Sequence, residues 1–214
     1  MAPADWPDNP APARADWRDT LRAATDLALL GIVTALASAA VLTAGAALAT
    51  ASAAIHQWTV DGHWPGLRDL ASHFWRGLAP GAVATVVAVV GTLLLGGNMV
   101  LISAGMVPGG TVLLVGTGLL AALMAGLAGI TVVQTGRGGG DGPAGQGWRA
   151  AARDTWRIAE RRPLAVLAAT GVVSLAGLLT ALTMPILAPI LLGYTLFALH
   201  TALRRITPHK LPSR

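Results

Sequence analysis

Three long stretches of this chain contain no Asp, Glu, Lys or Arg: Leu27 to Val60, Gly77 to Gly136 and Pro163 to Leu203. A helix crosses the hydrocarbon core of a bilayer with about 20 residues, so each stretch has room for at least one crossing. A soluble domain of 214 residues has too much surface to hide so much uncharged chain. Hydrophobic residues make up 54% of the sequence and charged ones only 12%, outside the usual range of water-soluble domains. The sequence therefore predicts an all-α, polytopic membrane helix bundle.

The stretches divide at their turn formers. Pro108 and its neighbouring glycines separate a segment near 80–102 from one near 111–133. Met184-Pro185 and Ala188-Pro189 separate segments near 163–182 and 186–203, and proline suits a helix start because first-turn N–H groups lack partners. Leu27 to Val60 is long for one span and short for two. A break at Leu42-Thr43-Ala44-Gly45 gives a short or re-entrant pair, near 27–42 and 45–58; the other solution is a single tilted helix. Lys and Arg gather on the cytoplasmic side of membranes, which favours the broken pair. Six segments put all fifteen Lys and Arg residues inside, with both termini cytoplasmic, whereas five strand Arg14, Arg18 and Arg22 outside.

The tryptophans agree with this frame. All seven lie outside the central spans, where headgroups favour their rings, and Trp17, Trp75, Trp148 and Trp156 are each followed by arginine. Two segments read as amphipathic helices on the inner leaflet, near 67–79 and 148–162, with a shorter one starting near Trp17. Phe74, Trp75 and Arg76, and likewise Trp17 and Arg18, are the expected interfacial anchors. In the second helix Trp148, Ala152, Trp156 and Ala159 form the apolar side, while Arg149, Arg153, Arg157 and Arg161 repeat every fourth residue. The pattern suggests one unit used three times, an interfacial helix followed by a membrane hairpin. Residues 1–15 read as a Pro-rich disordered tail without a signal peptide, 16–206 as one membrane domain, 136–147 as a Gly-rich linker and 207–214 as a cytoplasmic tail.

Val41-Leu42-Thr43-Ala44-Gly45-Ala46-Ala47-Leu48-Ala49 and His73-Phe74-Trp75-Arg76-Gly77-Leu78, together with the order of spans, resemble the YesL-like family of bacterial integral membrane proteins, whose function is unknown. That family carries proline in the first break where this chain has Ala46. The resemblance implies a bacterial inner-membrane location. It also implies an accessory role beside a carbohydrate ABC transporter, because members are often encoded near such systems.

Chemistry at membrane depth is sparse. Ion-coupled transporters place charged groups there despite the cost, but the deep polar groups here are chiefly hydroxyls such as Ser38, Thr85, Ser174 and Thr180, with Asn98, Tyr194 and His200. Cysteine is absent, and no His-Glu-x-x-His or Gly-x-Ser-x-Gly pattern occurs. His56, Asp61, His63 and His73 have no familiar metal-site spacing, and the glycine linker lacks the Gly-Lys-Ser/Thr ending of a phosphate loop. The expectation is a non-catalytic protein without cofactor or metal. Its arginine stripe meets anionic membrane lipid or an acidic partner such as transporter subunits; nucleic acid is not expected, because the arginines flank apolar spans. Thr117, Ala121, Ala125 and Gly129, and Gly118, Ala122 and Gly126, form small-residue stripes for close helix packing, within the monomer or in a homo-oligomer. An uncoupled small-solute permease is the alternative, marked by a polar cavity lined by span hydroxyls.

Overall fold

The computed structural model describes residues 17–38, 41–106, 110–138, 146–182 and 187–206. The expected N-terminal tail, the Pro108 turn, the Met184-Pro185 break, most of the Gly-rich linker and the C-terminal tail lie outside them. Among the described residues every regular element is helical: α1 (Trp17–Ala37), a single 3-10 turn (Val41–Thr43), α2 (Ala44–Asp61), α3 (Leu67–Ser103), α4 (Gly110–Arg137), α5 (Gln146–Arg161), α6 (Pro163–Leu182) and α7 (Ala188–Ile206). Four of these, α1, α3, α4 and α6, are long and apolar enough to cross a membrane. Protein covers only 11% of the apolar window in α3 and α4 and 17% in α1 and α6. Side chains such as Leu93, Val112, Leu119 and Leu182 stand exposed at 67% or more. At roughly 25 cal/mol per Å² that surface suits lipid and not water.

The first charge-free stretch is two helices. Thr43 gives no side-chain cap to α2; its hydroxyl donates instead to the Ala37 carbonyl at the end of α1. The first N–H groups of α2 are left without intrahelical partners. Thr85 of α3 supplies one: its Oγ1 accepts from the Gly45 N–H at 2.8 Å and donates to the Gly81 carbonyl at 2.9 Å. Gly45 and Gly81 meet backbone to backbone, and a Cβ on Gly45 would lie 2.2 Å from the Gly81 oxygen. The chain then returns, for Trp64 beyond α2 donates through Nε1 to Asp26 Oδ2 of α1 at 3.1 Å.

This pairing explains a departure from the sequence expectation. The segment 67–79 is not a separate interfacial helix; α3 runs unbroken through Pro80 to Ser103. Proline removes one backbone bond and strains the preceding turn, a cost of about 3 kcal/mol in an isolated helix. Here α2 packs across that turn, with Ala46 fully buried and lying near Gly77 and Gly81. Tertiary packing overrides the local break. The start near Trp17 is likewise continuous with α1, so among the described residues the expected threefold unit has a separate surface helix only at α5.

The core lies towards one end of the bundle. One cluster joins Ile130 and Val133 of α4, Ala165, Val166 and Ala169 of α6, and Leu199 and Leu203 of α7. A second joins Leu27 of α1, Ala51 and Ile55 of α2, Val132 of α4 and Leu196 of α7, with Trp64 and Trp148 packed against it. Both gather residues near the basic helix ends. Beyond Thr85, α3 buries only Ile102, and in α4 burial begins at Gly126. In that open half Asn98 Nδ2 donates across to Thr117 Oγ1 at 3.0 Å.

Candidate interface on the arginine-bearing helix

The α5 helix begins at Gln146, within the last two residues of the expected glycine-rich linker, and ends at Arg161, just before Pro163, whose ring suits the first position of α6. Ala151 and Thr155 are buried at 3% and 5%, and Ile158 and Ala159 pack against the first core cluster. Thr131 of α4 gives its hydroxyl proton to the Leu127 carbonyl at 2.9 Å. In the 3.1 Å contact between Thr131 Oγ1 and Thr155 Oγ1, Thr155 is therefore the donor. This bond fixes the rotation of α5 on α4.

That rotation differs from the expected two-sided split. Trp148 turns inward onto the second core cluster, whereas Ala152 is exposed and Trp156 is 63% exposed. The bundle-facing strip runs through Ala151, Thr155 and Ile158. Thr155 was hidden in the sequence because a hydroxyl between Asp154 and Trp156 reads as part of the polar side. Helical geometry leaves Trp156 between the bundle and the arginines, the place of a ring lying at a lipid headgroup surface.

Arg149, Arg153, Arg157 and Arg161 are all exposed and point away from the bundle. Arg157 Nη1 meets Asp154 Oδ1 at 3.4 Å, with the side chains 71% and 54% exposed, so the pair contributes under about 1 kcal/mol. Arg153 Nε donates to the Arg149 carbonyl at 3.3 Å. Beside them lies an open depression of about 320 Å³ lined by Gln134, Asp154, Arg157, Ile158, Arg161 and Arg162. Three guanidiniums against one carboxylate make it a shallow anion-attracting surface. Gln134, one turn before the basic end of α4, carried no motif that would have singled it out.

The other predicted positions fall elsewhere. Trp17 and Trp75 are exposed at 65% and 70%; Arg18 lies over the Trp17 ring at 5.6 Å and Phe74 packs edge-on to Trp75. Trp58 and Trp64 behave differently, stacking at 5.2 Å with Phe197 beside Trp58 to form an aromatic floor under the second cluster. Along α4, Gly126 presses on Thr170 of α6 and Gly129 on Leu199 and Val173, while Gly118 meets only Met99 of α3. Ala121 and Ala122 are partly buried, and Ala125 is exposed. His56, Asp61, His63 and His73 are not brought together: among the described residues no three His, Asp or Glu side chains are grouped to hold a metal.

No protein-family profile, curated protein or solved structure matches the chain.

Proposed function

We propose that this chain is a non-catalytic accessory or regulatory subunit that contacts another membrane complex through the exposed arginine face of α5. The single observation that carries this reading is the rotation of α5. Its small and hydroxyl residues face the bundle, and Arg149, Arg153, Arg157 and Arg161 all face outward. Four cations on a free face serve topology and also offer a surface to an acidic partner. The YesL-like resemblance names a carbohydrate ABC transporter of a bacterial inner membrane as the complex.

The permease alternative gains less from the geometry. Thr34, Thr50, Thr92, Thr180 and Thr195 each donate to the carbonyl four residues back on their own helix. Hydroxyls used in this way commit their proton within the helix and leave only acceptor lone pairs to offer a solute.

We further place six membrane segments, with α1 and α2 as a shallow pair entering from the arginine-bearing side and turning at Gly45. Reporters inserted near Ala11 and fused after Arg214 are then both cytoplasmic; opposite sides would establish an odd number of crossings.

Affinity purification in mild detergent, followed by mass spectrometry, tests the functional reading. The expected result is reproducible recovery of transporter subunits, lost when Arg149, Arg153, Arg157 and Arg161 are replaced by Gln. Recovery of the chain alone, or unchanged recovery from the variant, would overturn it.

A further inference from the structure

One polar pair in the open half of α3 and α4 leaves hydrogen-bonding groups unspent, on a surface that the accessory reading does not use. Asn98 Nδ2 donates to Thr117 Oγ1 at 3.0 Å. Thr34, Thr92, Thr131, Thr180 and Thr195 give their hydroxyl protons to the carbonyl four residues back on their own helices. Thr117 differs: its hydroxyl accepts, and among the described residues it donates to nothing. Asn98 is its complement, for its amide oxygen accepts from no described group. The pair therefore offers a proton from α4 and an acceptor oxygen from α3, side by side.

These groups are set in apolar surface. Leu101 and Leu113 flank the pair towards the α3–α4 turn, and Leu94 and Leu120 flank it on the deeper side, all between 44% and 69% exposed. Asn98 is itself exposed. Acyl chains give such groups no hydrogen bond, so facing lipid is costly for them. Nothing lies within 4 Å of a Cβ built on Gly97 or Gly116, the residues next to the pair, so another helix backbone can approach closely there. Symmetry then decides what fits. A second copy in the same bilayer has the same orientation, and a two-fold axis along the membrane normal relates the two without changing depth. Asn98 and Thr117 share one depth, because they are bonded to each other. The axis therefore sets Thr117 of each copy opposite Asn98 of the other.

We propose that the chain forms a two-fold homodimer through the open faces of α3 and α4, held by reciprocal hydrogen bonds from Thr117 of each copy to Asn98 of the other. Each Asn98 gives to its own Thr117, each Thr117 gives to the partner's Asn98, and the bonds close into a ring that neither copy can complete alone.

The chain contains no cysteine, so Ser213→Cys gives a single labelling site. Full chain labelled there with donor or acceptor dye is reconstituted in phosphatidylcholine liposomes over a range of protein densities, and energy transfer reads the dimerisation equilibrium. The expected result is saturable transfer that unlabelled chain competes away. Thr117→Val keeps the shape and removes the proton, whereas Asn98→Leu removes the acceptor. Each breaks both reciprocal bonds, so half-association moves to about tenfold higher density. The double variant goes little further, because the two changes open the same ring. Thr117→Ser keeps the hydroxyl and associates like the wild type, which separates a lost bond from a misfolded chain. Thr92→Val, whose hydroxyl is spent on the Ala88 carbonyl, also leaves association unchanged. A wild type that stays monomeric at every density would overturn the proposal. So would equal association of the wild type, Thr117→Val and Asn98→Leu, or an equal loss in Thr92→Val.

Discussion

Replacing Gly45 by Ala tests the contact on which the α1–α2 hairpin depends. The added Cβ would meet the Gly81 carbonyl oxygen, carbonyl carbon and Cα at 2.2, 2.8 and 2.9 Å, all of them backbone. No side chain can rotate away, so α2 and α3 must part by roughly 1.2 Å to restore ordinary contact at 3.4 Å. At that separation the 2.8 Å bond from the Gly45 N–H to Thr85 Oγ1 is broken. Losing it costs about 0.5–1.5 kcal/mol, and the donor is left buried. Overpacking adds about 1–3 kcal/mol, as Ala46 loses its neighbours on α3. Alanine's better helix propensity returns about 1 kcal/mol. The net expectation is a destabilisation of about 0.5–3.5 kcal/mol, centred near 2 kcal/mol, where the folding equilibrium shifts by roughly 30-fold. Reversible unfolding in mixed micelles, titrated with sodium dodecyl sulfate and followed by circular dichroism, reads this directly. Gly96→Ala is the control, because nothing lies within 4 Å of its new Cβ, and it is expected to be neutral or slightly stabilising. If Gly45→Ala matches the wild type, or Gly96→Ala loses as much, the hairpin is not held by backbone contact.

Three further outcomes are expected. Thr170 Oγ1 is buried without a hydrogen-bond partner, so Thr170→Val, which keeps the shape, raises stability by about 1 kcal/mol in the same titration. Asn98→Ala removes the bond to Thr117 and costs about 0.6 kcal/mol, a typical value between membrane helices; a loss of several kcal/mol would mean that Asn98 has another role. Replacing Arg149, Arg153, Arg157 and Arg161 together by Gln weakens binding of the isolated α5 peptide to anionic vesicles by about 4 kcal/mol, close to 10³-fold. Unchanged binding in a co-sedimentation assay would leave the stripe as a topology signal only.

The large features of this fold were legible because bilayers impose long, simple patterns. Missing charge located the apolar helices, and Pro163 gave the start of α6. The break before Gly45 was also readable, although the sequence did not show why it holds: the partner of its free N–H is Thr85, forty residues away. Pro80 misled for the same reason, since α2 supports the turn that proline weakens. On α5 the fourfold arginine repeat was plain. The facing of Trp148 and Trp156 was not, because a threonine pair on two helices sets it. The burial of His200 against Ser52 was invisible, for the two come from different helices and no local spacing joins them.

The α2 helix starts opposite Gly81–Thr85, while α3 continues for about 18 residues, roughly 27 Å, past that point. Beyond the turn, α2 adds nothing to the width of the molecule, and α3 and α4 run on together with little covering them. The buried contacts therefore sit towards the end where the arginines gather, and hydrogen exchange is expected to open the far ends of α3 and α4 well before the clusters around Ile130 and Ile55.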